Sequence, residues 1–305
     1  MMNPLMIWLR AFRLHYVPTS ILSAILGSVM AWSQFHIFRP LEFFLVLIGV
    51  CLNHIGLNMI DDVYDYRNAV DHKTHGVKNP YTGGSGILTQ GLLAPRHMLT
   101  GAYICFAVTS LIGIYLTHLC GLGILFIGIF GIVSSFFYTT PPIQFGYRGF
   151  GELGLFINFG PVLVLGSYYA QMPVFHFDPF FISLIPGALM WSMIIINEIP
   201  DYDEDRRGGK WTLVARYGQK NGIRLYAVGL SVAYLLIIAS VIFNLASPYI
   251  LLALITAPMA FRSLKIARLN YSHPQRLIPA NRTMIYIHAI TLIMMIMSYI
   301  PGIAA

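Results

Sequence analysis

The acidic residues of this 305-residue chain are few and unevenly placed. Nine of its twelve Asp and Glu residues lie in two short segments, 61–71 and 198–205. The surrounding sequences read IDDVYDYRNAVD and NEIPDYDEDRRGGK. Carboxylates held near one another repel, and this cost is offset by cations or by protonation. Two such clusters therefore indicate a site that binds cations.

Both clusters have the spacing of residues that share one face of a helix. Positions i, i+3 and i+7, or i, i+4 and i+8, lie above one another on a helix surface. The residues with this spacing are Asn58, Asp61 and Asp65, with Asp62 one turn from Asn58, and then Asn197, Asp201 and Asp205. Asp61 and Asp201 are 140 residues apart, as are Asp65 and Asp205, which suggests a degenerate internal repeat. The two faces can point into one cavity.

Opposed carboxylates beside Asn amides suit Mg²⁺, a hard cation that keeps several waters and bridges to phosphate groups. A diphosphate substrate is therefore implied. Basic side chains near the clusters are expected to neutralise its outer oxygens. These are Arg67, Lys73, Lys78, Arg148, Arg206 and Lys210. The polar segment 82–86, TGGSG, is interpreted as either a phosphate-binding nest or a lid.

The composition is that of a membrane protein, since 57% of the residues are hydrophobic and only 10% are charged. Soluble domains have roughly 25% charged residues. We predict an all-α, polytopic fold that forms a single domain over residues 1–305, with nine transmembrane helices. The nine predicted spans are 15–33, 41–60, 99–118, 121–138, 152–172, 180–197, 223–243, 247–264 and 284–303.

The basic residues fix the predicted orientation. With a cytoplasmic N-terminus, 18 of the 19 Lys and Arg residues lie on the cytoplasmic side, and only Arg39 lies outside. This asymmetry obeys the positive-inside rule. It also explains the net charge of +7 without a nucleic-acid partner. The segments 61–98 and 201–222 are then cytoplasmic cap loops that carry the acidic motifs.

The two acidic segments, together with YTTPPIQFGYRGFGELGLFINFGPVLVLGSYY between them, resemble the UbiA superfamily of intramembrane prenyltransferases. The resemblance extends over nearly the whole chain. It is strongest to the branch that prenylates 1,4-dihydroxy-2-naphthoate in menaquinone synthesis. It implies a bundle of nine helices around a central cavity that opens to membrane lipid, in the inner (plasma) membrane of a bacterium or archaeon, with a cytoplasmic active site.

The resemblance also implies roles for particular residues. The substrates would be a polyprenyl diphosphate and an aromatic acceptor, and the cofactor would be Mg²⁺. The implied metal ligands are Asp61, Asp62, Asp65, Asp71, Asp201 and Asp205, of which Asp62, Asp65, Asp201 and Asp205 are taken as catalytic. The implied substrate-binding residues are Asn58, Arg67, Lys73, Tyr138, Arg148, Asn197 and Lys210.

Several points stay open at this stage. The family usually has Asn at the position of Asp61, so Asp61 is either a further ligand, protonated, or paired with a Lys. Aromatic residues are candidates for stabilising a carbocation or positioning the acceptor, namely Tyr138, Tyr147, Tyr168 and Tyr169. The acceptor could instead be 4-hydroxybenzoate, a porphyrin or a glycerol phosphate lipid. An ion-coupled transporter is a further alternative, although the acids lie at one surface instead of mid-membrane.

Overall fold

The computed structural model describes residues 3–70 and 79–301, and the described residues form helices and turns without a β-strand. The predicted all-α fold is therefore confirmed. The helices are α1 (Pro4–Ala11), α2 (Val17–Phe35), α3 (Pro40–Arg67), α4 (Pro95–Cys120), α5 (Leu122–Phe137), α6 (Gly151–Gln171), α7 (Phe177–Arg207), α8 (Leu213–Tyr217), α9 (Gln219–Ile242), α10 (Pro248–Asn270) and α11 (Pro274–Tyr299).

In the part of the chain that the structure describes, seven helices are long and apolar enough to cross a membrane. They are α3, α4, α6, α7, α9, α10 and α11. The other two predicted spans, 15–33 and 121–138, coincide with α2 and α5. Helix α5 has only 16 residues, and α2 is less apolar than the seven because Ser, Thr and Gln interrupt its sequence. The chain is an integral membrane protein, and its count of nine spans stays a prediction.

Large apolar side chains on the outer surfaces of the helices are exposed, as a lipid-facing surface requires. Leu111, Phe126, Leu235 and Ile255 are each more than 60% exposed. The main core lies between the helices, where α7 packs against α9 and α11 and α2 packs against α6. A second core joins α1, α3 and α4. Buried glycines bring helices close, since a Cβ on Gly27 would lie 2.1 Å from the carbonyl oxygen of Val164.

Helices α3 and α7 continue through both acidic motifs and end at Arg67 and Arg207, again 140 residues apart. The motifs therefore occupy the last turns of helices. This corrects the prediction that they lie within cap loops starting at 61 and 201. The physical reason is that the only prolines past the first turn of either helix, Pro186 and Pro200 of α7, do not end the helix that contains them, although proline usually kinks or ends a helix.

Candidate functional site

A polar cavity of about 90 Å³ lies where α3 and α7 end. Both acidic motifs contribute to its wall, so the structure brings them together as the spacing predicted. Its charged lining residues are Arg13, Asp61, Asp65, Glu198, Asp201, Glu204, Asp205 and Lys210. Tyr138 and Asn197 complete the wall toward the membrane. Five of the predicted site residues in the motifs, Asp61, Asp65, Asn197, Asp201 and Asp205, thus line one cavity.

Lys210 lies against the first motif. Its Nζ lies 2.8 Å from Oδ2 of Asp65 and 3.9 Å from Oδ1 of Asp61. Burial alone would lower the pKa of Lys210, but the carboxylates of Asp65, Asp61 and Asp205 raise that pKa well above its ordinary value. Lys210 is therefore charged at neutral pH and balances part of the acidic charge of the cavity.

Tyr147 holds the other oxygen of Asp65. Its hydroxyl donates a hydrogen bond of 2.5 Å to Oδ1 of Asp65, and its ring lies 5.4 Å from Nζ of Lys210. Burial and the neighbouring carboxylate raise the pKa of the Tyr147 hydroxyl, which keeps it protonated as a donor. The short 3₁₀ turn Phe145–Arg148, after the proline pair that ends the α5 region, positions this ring.

Arg13 reaches the same motif from the turn between α1 and α2. Its Nη1 lies 3.6 Å from Oδ2 of Asp61 and 3.5 Å from Oδ1 of Asp62. Its guanidinium also lies over the ring of Tyr16, at 5.3 Å. Arg13 and Lys210, which are far apart in the sequence, therefore both neutralise the first motif.

The segment 82–86 lies between the two acidic motifs. The backbone N–H of Gly83 donates to Oδ2 of Asp201 at 2.8 Å, and that of Ser85 donates to both carboxylate oxygens of Asp62 at 3.0–3.1 Å. The hydroxyl of Tyr16 donates to the carbonyl of Tyr81. Because these N–H groups already donate to carboxylates, they are not available as a phosphate-binding nest in this structure. The segment is instead interpreted as a lid that is hydrogen-bonded to both motifs.

A second, more apolar cavity of about 110 Å³ extends from the first toward the membrane interior. Arg13, Asp61, Tyr138 and Asn197 line both cavities, which makes them neighbours along one path. Ile194 also lines both cavities, and the other lining residues of the second are Tyr16, Thr19, His54, Leu57, Asn58, Leu155, Phe159, Met190 and Met193. The arrangement places charged groups at the helix ends and an apolar chamber beneath them.

Some predicted site residues lie elsewhere. Arg67 is exposed beside Tyr64, and Arg148 is exposed with its Nη2 donating to the carbonyl of Pro142 at 2.9 Å. Neither lines the two cavities. Asp62 does not line them either and serves to hold Ser85. Asp71, Lys73 and Lys78 lie outside the described residues.

Two of the candidate aromatic residues also lie away from the acidic motifs. The Tyr168 hydroxyl donates to Gln34, and the Tyr169 ring packs against Phe175. Both are near the C-terminal end of α6, whereas the motifs lie beside its N-terminal end. Their proposed part in carbocation stabilisation therefore has no support here, while Tyr138 lines both cavities.

Sequence reasoning missed a set of supporting polar residues. Nδ2 of Asn281, on α11, donates to Oδ1 of Asn197 at 2.9 Å, and Oδ1 of Asn281 accepts from Asn79 at 3.0 Å. Arg13, which was counted among the cytoplasmic basic residues, was not predicted to lie at the site. These contacts join residues more than 80 positions apart, and single-sequence periodicity carries no signal for them. A lone Asn in an apolar helix was the one available clue.

The side chains that line the polar cavity meet the requirements of a Mg²⁺ site. Within residues 3–70 and 79–301, no three Asp, Glu, His or Cys side chains form a ready-made metal site. Mg²⁺ often needs only one or two carboxylates, with waters and substrate phosphates as its remaining ligands. Oδ1 of Asp61 is buried without a hydrogen-bond partner, and four Asp carboxylates line the cavity. The residues therefore fit a hydrated Mg²⁺ that a diphosphate bridges.

Comparison with known proteins agrees with this geometry. Residues 20–298 match the model of the UbiA prenyltransferase family. The chain is 28% identical to 1,4-dihydroxy-2-naphthoate octaprenyltransferase of Bacillus subtilis, over 83% of this chain and 79% of that protein. It is 29% identical to the protein of the same name in Escherichia coli, over 83% and 82% of the two chains.

Solved structures show the same fold at low sequence identity. The apo structure of a UbiA homolog from Aeropyrum pernix superposes with a TM-score of 0.67 at 14% identity, over 90% of this chain and 95% of that one. A UbiA homolog from Archaeoglobus fulgidus bound to DMAPP and Mg²⁺ gives 0.59 at 14% identity, over 94% and 98%. The expected resemblance is thus confirmed, and the chain belongs to the UbiA prenyltransferase family.

Proposed function

We propose that this prenyltransferase moves a polyprenyl group from an allylic diphosphate to 1,4-dihydroxy-2-naphthoate in a Mg²⁺-dependent reaction. The observation that carries the proposal is the joining of two cavities at the ends of α3 and α7. One cavity is charged and suits a diphosphate with its cation, and the other is apolar and suits an isoprenoid and an aromatic ring. A charged cavity beside an apolar one matches a prenyl diphosphate, which has a charged head and an apolar chain. Its reacting carbon would lie where the two cavities meet.

The comparisons support both halves of this proposal. Relatives named as 1,4-dihydroxy-2-naphthoate octaprenyltransferases are 26–29% identical over most of the chain. Fold neighbours from Archaeoglobus fulgidus have been solved with DMAPP and Mg²⁺ and with GPP and Mg²⁺. Four acidic side chains are assigned to the cation: Asp61, Asp65, Asp201 and Asp205. Asp71 lies outside the described residues and is kept as a proposed ligand.

The basic residues of the cavity provide contacts for the diphosphate. Lys210 and Arg13 already neutralise Asp61 and Asp65, and both are placed to turn toward an anion that enters between the motifs. Bound Mg²⁺ would stabilise negative charge on the leaving diphosphate. Lys210 would add a charge-assisted hydrogen bond to the same oxygens. The lid, which is hydrogen-bonded to Asp62 and Asp201, would limit the entry of bulk water.

The apolar cavity has to protect an electron-deficient allylic carbon from water. Leu57, Leu155 and Phe159 offer hydrocarbon side chains that carry no nucleophilic atom to capture it. Tyr138 lies at the junction of both cavities, where its ring can face the developing positive charge. Asn58 and Asn197 are assigned to positioning the acceptor, since both line this chamber.

The topology completes the proposal. We propose nine spans, formed by the seven apolar helices together with α2 and α5, with the N-terminus and both motifs at the cytoplasmic face of the plasma membrane. The chain is proposed to act as one domain, because the site takes residues from α3, α7 and the turns before α2 and α6. This orientation also keeps nearly all basic residues in the cytoplasm.

The experiment is product mass spectrometry with purified protein in lipid nanodiscs. One polyprenyl diphosphate is supplied with 1,4-dihydroxy-2-naphthoate, 4-hydroxybenzoate, a porphyrin or a glycerol phosphate lipid, with Mg²⁺ or with EDTA. A prenylated naphthoate product that disappears with EDTA supports the proposal. A product from another acceptor alone contradicts the acceptor assignment, and no consumption of diphosphate with any acceptor contradicts the reaction and favours an ion-coupled transporter.

A matched pair of variants links the reaction to the cavity. Asp201→Asn removes a carboxylate that lines the cavity, whereas Asp203→Asn removes an exposed carboxylate two residues away on the same helix. We expect Asp201→Asn to lose nearly all turnover and Asp203→Asn to keep it. Equal activity of the two variants would contradict the assignment of the second motif.

A further inference from the structure

A third cavity, of about 300 Å³, adjoins the site at Arg13. One wall is formed by the end of α1 and the turn before α2, and it includes Leu9, Arg10, Arg13, Leu14 and His15. The other wall is the chain from 80 to 85, which includes part of the lid. This cavity is larger than either of the two cavities in which the diphosphate and the isoprenoid are proposed to bind.

The third cavity is lined by basic side chains. Arg10, Arg13 and His15 contribute to its wall, and none of the described residues that line it is acidic. The polar cavity differs, because several Asp and Glu side chains line it. A cleft lined by charge of one sign raises the local concentration of ligands of the opposite sign. The third cavity therefore suits an anion.

Arg10 has hydrogen bonds to uncharged groups. Its Nε donates to the carbonyl oxygen of Ser85 at 3.0 Å, and its Nη1 donates to Oε1 of Gln90 at 3.4 Å. Neither acceptor neutralises the guanidinium. A guanidinium has several N–H donors in a rigid fork, so Arg10 can bind a carboxylate while it keeps these contacts.

The third cavity meets both cavities of the site. Arg13 lines all three cavities, and Gly83 lines the third cavity and the polar cavity. The boundary therefore consists of one flexible side chain and part of the lid. Leu9 and Leu14 are exposed and give the third cavity an apolar surface beside its charged groups. This combination suits a small ligand that has both an apolar ring and a negative charge.

Both substrates of the proposed reaction are anions. The acceptor 1,4-dihydroxy-2-naphthoate carries a carboxylate, and the polar cavity is assigned to a diphosphate beside several aspartates. Like charges repel, and the repulsion is stronger near the protein interior than in bulk water. An acceptor that approached through the polar cavity would meet this repulsion. A path lined by arginines attracts the same acceptor.

We propose that the third cavity is the entry site of the aromatic acceptor, where Arg10 binds its carboxylate and Leu9 and Leu14 contact its ring. This inference rests on the proposed function. From the entry site the acceptor passes Arg13 into the apolar cavity without crossing the diphosphate. Arg10 takes no part in the transfer of the prenyl group, so its loss affects capture of the acceptor and not the chemical step.

The test is equilibrium binding of two naphthalene ligands to purified protein in phosphatidylcholine nanodiscs, without diphosphate and with empty nanodiscs as the background. The ligand 1-hydroxy-2-naphthoate carries a carboxylate, and 1-naphthol lacks it. We expect Arg10→Gln to weaken binding of the naphthoate about tenfold, as the loss of a charge-assisted hydrogen bond should. Binding of 1-naphthol should not change. Gln can still donate to the Ser85 carbonyl, so the contact with the lid is kept.

Two further variants control for charge and for position. Arg10→Lys keeps the positive charge and should bind the naphthoate within a few-fold of wild type. Arg96→Gln removes an exposed arginine at the start of α4 that does not line the third cavity, and it should bind both ligands as the wild type does.

Steady-state kinetics give a second readout. We expect Arg10→Gln to raise the KM for 1,4-dihydroxy-2-naphthoate about tenfold, again the effect of one charge-assisted hydrogen bond. The kcat and the KM for the polyprenyl diphosphate should stay within a few-fold of wild type. Added salt should raise the acceptor KM of the wild type more than that of the variant, because salt screens the attraction to Arg10. A loosened lid would instead raise the diphosphate KM as well.

Equal weakening of the naphthoate and of 1-naphthol in Arg10→Gln, or an unchanged acceptor KM, would overturn the entry site and leave the prenyl transfer standing. Naphthoate binding that does not depend on Arg10, together with enrichment of phosphatidylglycerol around the wild type but not around Arg10→Gln in mixed nanodiscs, would assign the cavity to a lipid headgroup and also overturn the proposal. The binding comparison needs no turnover. Failure of the proposed function would appear separately, as absence of prenylated naphthoate with the wild type.

Discussion

Replacing Lys210 by Met tests whether this cation holds the acidic cavity together. Its Nζ lies 2.8 Å from Asp65 and 3.9 Å from Asp61, and its side chain is only 12% exposed. Met keeps most of the apolar stem and removes the charge. The change leaves Asp61, Asp65 and Asp205 facing one another in the cavity without their shared cation.

Removing one partner of a buried ion pair costs about 3–5 kcal/mol, because the other charge stays buried and unpaired. At about 2–4 °C per kcal/mol for chains of 150–250 residues, the midpoint of unfolding should fall by roughly 6–20 °C. A divalent ion that binds the same carboxylates has the opposite effect. At a free concentration 100 times its Kd, such an ion stabilises the folded state by about 2.7 kcal/mol. Mg²⁺ should therefore recover much of the loss.

The assay is thermal unfolding in detergent with and without Mg²⁺, for Lys210→Met and for Lys220→Met, which removes an exposed charge at the start of α9. Because the folded pKa of Lys210 lies above its ordinary 10.5, its contribution is present below pH 10.5 and disappears only at higher pH. The carboxylates that Lys210 neutralises take up protons more readily as the pH falls, so the difference between the variants should be larger at pH 9 than at pH 6. Equal unfolding midpoints of the two variants would refute the reasoning. A difference between the midpoints that does not shrink when Mg²⁺ is added would also refute it.

Three further predictions follow from single contacts. Asp61→Asn restores the pattern usual in the family and should keep turnover within a few-fold in the prenyl transfer assay, whereas complete loss would make Asp61 an indispensable ligand. Gly27→Ala should lower the free energy of unfolding by about 1–3 kcal/mol because its Cβ meets a facing carbonyl, while Gly128→Ala, with open space, should not. Tyr147→Phe removes a donor to Asp65 and should weaken Mg²⁺ binding, measured by calorimetry, and unchanged affinity would speak against that role.

The sequence predicts the acidic motifs well because their information is local. The spacing of Asp61 and Asp65 and of Asp201 and Asp205 follows helical geometry, and the helices continue through both motifs. Apolar length likewise predicts nine spans, and seven of them coincide with described helices that are long and apolar enough to cross a membrane. Helix α5 is harder to assign, because its 16 residues are fewer than the roughly 20 that a span needs.

Side-chain direction and distant contacts were beyond sequence reasoning. Arg148 was predicted to contact the diphosphate, but a short turn directs it to the carbonyl of Pro142. Arg13 contributes as an ion-pair partner only because α1 and α2 bring their connecting turn to the end of α3. Glu198 was counted within the second cluster, and its burial in the wall of the polar cavity depends on how α6 packs against α7.

The central claim is that one diphosphate and its cation lie between the ends of α3 and α7. The most direct measurement is an experimental structure of the full chain in nanodiscs with Mg²⁺ and an unreactive prenyl thiolodiphosphate. The account predicts diphosphate density in contact with Lys210 and bridged by metal to Asp65 and Asp205, with the prenyl chain in the apolar cavity. Diphosphate density outside this cavity, with Lys210 still bound to Asp65, would contradict it.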